Sequence, residues 1–243
     1  MGQRERASTM ELPDVPERQA LLEPGPEELT VRGGSEQLAG PLRMRLAVMG
    51  PVHRRIAASD VAHDPELAGF IKSQGGDYTF HALRLSCSFR PADDEPFTGC
   101  WVGIGLSRAD GADGEPPIAW SMEPDRLSQP AHVSKTFTFK AELKLPLAGI
   151  SGSAARGSSS HAALAFVQAY GELGSEPSWE FRRIPGGDLN GMHQLKLVVR
   201  APSGVPVQGT TSIEANIERR RFGVVKYRVT VPGDPAATAF LLD

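Results

Sequence analysis

Along most of the chain apolar residues recur at every second position, and helical spacing is scarce. Met44, Leu46 and Val48 alternate with Arg43, Arg45 and Ala47. Leu83, Leu85, Cys87 and Phe89 alternate with Arg84, Ser86, Ser88 and Arg90. After the turn-like PADDEPFTG, Cys100, Val102, Ile104 and Leu106 take one phase and Trp101, Gly103 and Gly105 the other. The longest run places Phe137, Phe139, Ala141, Leu143, Leu145 and Leu147 opposite Thr136, Thr138, Lys140, Glu142, Lys144 and Pro146. The pattern returns at Leu195 to Val199, Ile213 to Ile217 and Val225 to Val231.

Successive side chains of a strand point to opposite faces, so this alternation sets one face on a core and the other in water. That is the habit of antiparallel sheets, whereas strands of a parallel α/β sheet read as continuous apolar runs. At least eight such strands, bounded by Gly, Pro, Asp and Ser, predict an all-β fold: an antiparallel β-sandwich, either one large or two small. The best helical stretch is a short connector in SDVAHDPELAGFIKSQGG. There Asp64 caps a turn beginning at Pro65, Leu67, Phe70 and Ile71 share a face, and Gly75-Gly76 end it.

Composition agrees with many turns, since 26 glycines and 20 prolines stand among 243 residues, above average usage. Residues 1–40 are rich in Glu, Pro, Arg and Gly and hold too little apolar surface to offset ordering entropy. They are expected to form a flexible N-terminal tail, disordered or loosely docked, with a short helix over Glu17 to Leu22 as the structured alternative. The β-sandwich region then runs over 41–243 and is divisible into 41–150 and 160–243, with a linker at 148–160. That linker, in GISGSAARGSSSH, is read as a mobile connection between β elements. Only six of the 26 basic residues are lysine, an arginine bias that suggests a GC-rich bacterial source.

A formal net charge of -3 offers no general attraction to nucleic acid or anionic membrane. The N-terminus has no apolar stretch of the secretory kind, and no apolar run approaches the length of a membrane-spanning helix, so a cytoplasmic protein is expected.

Candidate chemistry is sparse. Cys87 and Cys100 share the apolar phase of consecutive strands. A hairpin centred near Asp93-Asp94 makes them cross-strand neighbours, with reduced core thiols the expectation and a disulfide the alternative. The six histidines form no metal-binding pair, and neither a phosphate loop nor a nucleophile elbow occurs. Ser160 and His161 are adjacent, so in an extended chain they point apart and cannot form an activating hydrogen bond. The acidic stretches at Asp93, Asp94 and Glu95 and at Asp110, Asp113 and Glu115 read as solvated turns. No catalytic residue, metal or cofactor is assigned, and the pattern points away from an enzyme.

Three groups remain as binding candidates. Trp101 lies on the phase opposite to Cys100 and Val102. It points away from that core beside two glycines, as a contact surface or beneath a covering segment such as the tail. Trp120, Glu123 and Asp125, with His132 nearby, are the place for a site built from loops. Arg219, Arg220 and Arg221 follow a clean strand and precede Phe222-Gly223, which sets them at a hairpin turn able to meet phosphate.

The leading expectation is a protein-protein interaction or scaffold module whose partner is another protein or a second copy of itself. A pore-forming type of β protein is one alternative, carried by the amphipathic segments 136–147 and 161–173, although the second alternates poorly. An enzyme or small-ligand binder with a loop-built site is the other. Nucleic acid and membrane are the less favoured partners.

Overall fold

The computed structural model describes residues 44–62, 64–93, 95–128, 165–221, 225–232 and 239–242, with the short strands at 8–9, 20–21, 30–31 and 138–139. Among the described residues the strands are β1 (Ser8–Thr9), β2 (Ala20–Leu21), β3 (Thr30–Val31), β4 (Arg45–Arg55), β5 (Tyr78–Arg90), β6 (Phe97–Arg108), β7 (Ile118–Glu123), β8 (Arg126–Leu127), β9 (Thr138–Phe139), β10 (Val167–Tyr170), β11 (Ser178–Arg182), β12 (Gly191–Pro202), β13 (Val207–Arg221), β14 (Val225–Pro232) and β15 (Ala239–Leu242). The α-helix α1 (Pro65–Gln74) follows a 3-10 turn at Ala58–Val61.

Two antiparallel sheets pack face to face, as the alternation requires. The five-stranded sheet has the order β2-β4-β5-β12-β7. The eight-stranded sheet runs β3-β14-β13-β6-β11-β10-β8, with β15 also paired to β13. Strands from either side of residues 148–160 interleave in both sheets: β5 pairs with β12 from Tyr78↔Pro202 to Phe89↔Gly191, and β6 lies between β13 and β11. The linker 148–160, the segment 136–147 apart from β9, and Ser160-His161 lie outside the described residues, as does the tail apart from β1, β2 and β3. Within 161–173, β10 is an internal strand of the eight-stranded sheet with Val167 buried.

The core between the sheets takes the predicted apolar phases. Leu46, Leu85, Phe89 and Leu197 meet Val102, Ile104, Phe181 and Ala215 there. Phe80, His81, Ala82 and Leu83 of β5 are buried on both faces, because a second apolar cluster forms on the other side of the five-stranded sheet. In it Phe80, Ala82, Trp120 and Val198 are covered by Leu67 and Ile71 of α1 and by Val61. The helix begins as expected, with the Leu67 amide donating to Asp64 Oδ1 at 3.0 Å and Pro65 in the first turn. At ten residues it is a helix of nearly three turns, longer than a connector.

Two expectations are corrected at the 91–96 turn. β5 and β6 do not form a hairpin, since β5 belongs to the five-stranded sheet and β6 to the eight-stranded one. Cys87 and Cys100 are therefore not neighbours in one sheet. They approach each other through the interior from opposite sheets, both buried and both free thiols. Glu95 is not a solvated turn residue either. It is fully buried, and its Oε2 accepts a hydrogen bond from the Met44 amide at 2.8 Å, tying the turn to the entry of β4.

Candidate functional site

The outward face of the eight-stranded sheet carries Trp101. Because Cys100, Val102, Ile104 and Leu106 enter the core, the alternate positions Trp101, Gly103 and Gly105 face outward. In register, Trp101 stands opposite Glu180 of β11 and Glu214 of β13, and Gly103 opposite Ser178 and Ser212. Gly105 stands opposite Thr210.

The indole does not stand up from the sheet. A Cβ placed on Gly103 would fall 2.2 Å from Trp101 Cη2 and 2.7 Å from both Cζ2 and Cζ3, so the ring lies across the glycine. Gly103 is required here by close approach of the ring. The tryptophan nevertheless remains 40% exposed, leaving one ring face toward solvent.

Charge flanks this ring. Glu180 holds Arg182 through two hydrogen bonds of 2.7 Å, from Nε to Oε1 and from Nη2 to Oε2, and the pair raises the Arg182 pKa. The Tyr170 hydroxyl donates to Glu180 Oε2 at 3.4 Å, and Tyr170 is 48% exposed on the same face. Glu214 is exposed and has no ion-pair partner among the described residues.

Of the second sequence candidate, Trp120, Glu123 and Asp125 lie among the described residues. Trp120 is buried under α1, 6.0 Å from Phe70 and 6.1 Å from Phe80 between ring centroids. It sits where β7 and β12 shift register between Val198 and Val199. Glu123 is exposed at the end of β7 and pairs with Lys196 at 3.2 Å. Asp125 is exposed in the following turn, where its main-chain carbonyl accepts from the Ala169 amide at 2.8 Å. His132 lies outside the described residues, as do the side chains of Arg219, Arg220 and Arg221. The backbone of those arginines ends β13, paired with Tyr227, Lys226 and Val225.

Sequence reasoning missed the cluster that surrounds Trp120. The Arg200 guanidinium lies 4.3 Å from the Tyr78 ring centroid and 4.8 Å from that of Trp120. Glu115 binds it at 2.8 Å and also accepts from the Tyr78 hydroxyl at 2.9 Å. That hydrogen bond raises the Tyr78 pKa above its ordinary value. Beside this cluster, between the start of β5 and α1, is a hollow of about 460 Å³ lined by Ile56, Ile71, Phe80, Arg55 and Lys72 among others.

Cys100 is held as a neutral thiol, its pKa pushed well above the ordinary value by burial and then by Cys87. Among the described residues no helix is long and apolar enough to cross a membrane. No protein-family model matches the sequence, and no curated protein matches it either.

Proposed function

We propose that this protein is a binding module that docks another protein on the outer face of its eight-stranded sheet. The supporting observation is Trp101, an aromatic ring laid flat over Gly103 and left 40% exposed, with the exposed Tyr170 on the same face. Exposed aromatics concentrate binding energy at protein interfaces because they bring large area at low entropic cost. A photo-crosslinking residue at Ser212, opposite the Gly103 over which the Trp101 ring lies, should capture one defined polypeptide. The same residue at Met192, exposed on the other sheet, should not. Loss of the Ser212 product in Trp101→Ser supports the reading, and equal capture from both positions overturns it.

The hollow beside α1 supports a second reading, a small amphipathic anion. Its floor is Ile56, Ile71 and Phe80, and two basic residues, Arg55 and Lys72, line it. Its size falls within the usual range of ligand sites. Titration with a fluorescent long-chain carboxylate should show saturable binding that Ile71→Trp abolishes; unsaturable binding rejects it.

A further inference from the structure

We infer that the group received on this face is an arginine side chain of the partner polypeptide, seated on the Trp101 ring between Glu180 and Glu214. The inference rests on the docking reading above and assigns its chemistry. An indole face is electron-rich, and tryptophan is the best aromatic partner for a cation. Here one indole face is turned to Gly103 and the other is left open, so the ring presents the surface that a planar guanidinium stacks upon.

The flanking charges select the same class. Glu180 and Glu214 occupy the two positions directly opposite Trp101 in the neighbouring strands. Strands lie about 4.8 Å apart, so the two carboxylate-bearing backbones are roughly 9.6 Å apart with the indole between them. Glu180 already binds one guanidinium, that of Arg182, in a bidentate pair. Glu214 has no ion-pair partner among the described residues, so Glu180, Arg182 and Glu214 taken together carry one net negative charge. A nucleic acid or an acidic peptide would meet that charge as repulsion.

Geometry leaves room for the incoming chain. Ser178 and Ser212 flank Gly103, and Thr210 flanks Gly105, so the walls beside the ring are low. A guanidinium stacked on the indole can turn its N–H edge toward Glu214, the bidentate arrangement that lysine cannot reproduce.

The test follows the indole N–H resonances of the full chain by NMR, with Trp101 identified from Trp101→Phe, during titration with hexa-arginine, hexalysine, hexaglutamate and cellohexaose. The Trp101 resonance should move saturably with hexa-arginine, less with hexalysine and not with hexaglutamate. Glu214→Gln should weaken the hexa-arginine affinity about fivefold, while Glu66→Gln, on α1 of the other sheet, should leave it unchanged. Equal loss in Glu214→Gln and Glu66→Gln reduces the effect to general charge attraction and overturns the inference. Movement with cellohexaose and none with hexa-arginine also overturns it, while the exposed ring remains a docking surface. Absence of the Ser212 crosslink would instead remove the docking reading itself.

Discussion

Replacing Gly103 by alanine tests the flat indole directly. The new methyl would lie 2.2 Å from Trp101 Cη2, whereas carbon atoms settle at about 3.5 Å or more. The ring edge must retreat by at least about 1.3 Å, the difference between those distances. The three nearest atoms all belong to the Trp101 side chain, so the ring is the first obstacle that the methyl meets. The ring can therefore lift off the sheet without moving a strand. Lifting sacrifices its contact with Gly103 and costs about 1 kcal/mol as an off-rotamer side chain. Alanine returns about 0.5–1 kcal/mol by restricting the unfolded chain in a strand position. Stability should change by less than about 1 kcal/mol, while the exposure of Trp101 rises. Acrylamide quenching can read this cleanly, since Trp179 is fully buried and Trp120 is only 8% exposed. The quenchable emission therefore belongs to Trp101, and it should become more accessible in Gly103→Ala and vanish in Trp101→Phe. Unchanged quenching, or a loss of more than about 2 kcal/mol in urea unfolding, would refute the packing argument.

Five further outcomes follow from the same structure. Cys87 and Cys100 should resist a thiol reagent in the folded protein and both react after unfolding; reaction of either in the native state would contradict their burial. Because the Cys100 pKa is raised on folding, its contribution to stability is complete below the unfolded thiol pKa, about 8.5, and is lost as pH rises above it. Replacing Cys100 by alanine should flatten that alkaline decline in urea-melt stability, and an unchanged slope would assign it elsewhere. Arg200→Ala should cost about 2 kcal/mol by removing two aromatic stacks and a half-exposed ion pair, and a loss under about 0.5 kcal/mol in urea melts would reject the cluster as a support. In Glu115→Gln the Tyr78 phenol should titrate closer to its ordinary value of 10.0 by ultraviolet absorbance. Leu173 has φ +63°, so Leu173→Gly should be more stable than Leu173→Val by at least about 1 kcal/mol, since a β-branched residue suits the left-handed region least. The reverse order would sink that account.

Alternation identified faces well and partners poorly. Leu85, Cys87 and Phe89 enter the core and Trp101 faces outward, as their phases require. Period two reports only which side of a sheet a residue occupies, however, and says nothing about which sheet its strand joins. The 91–96 turn looked like a hairpin because it is short and acidic, yet it carries the chain from one sheet to the other. Glu95 makes the crossing by using a carboxylate oxygen on the Met44 amide, 51 positions away, an interaction that local composition cannot reveal. Proximity in sequence also says little of what packs around Trp120 and Glu123. The register shift beside Trp120 gives the tryptophan to the helix-covered cluster, while Glu123 at the strand end pairs with Lys196. Around Trp120 gather Arg200 of β12, Tyr78 of β5 and Glu115 of the loop before β7, which are far apart in sequence.

The same distinction between face and register governs the site on the eight-stranded sheet. That Trp101 points outward follows from its phase alone, but the character of its surroundings follows from two pairings that join distant segments. On β13 the outward residues run Thr210, Ser212, Glu214 and Asn216, so sliding that strand by two positions would place Ser212 or Asn216 beside the indole and remove a carboxylate. On β11 a slide of two would place Ser178 or Arg182 there, the latter replacing negative charge with positive. Both slides preserve every apolar residue on the core side, so core periodicity alone does not choose among them. Register is resolved instead by how individual core shapes meet, such as Ile213 against Val102 and Ala215 and Phe181 on either side of Cys100. The packing that sets the interior register thereby decides which charges surround the exposed ring, and the cation preference proposed for it would be a consequence of the core.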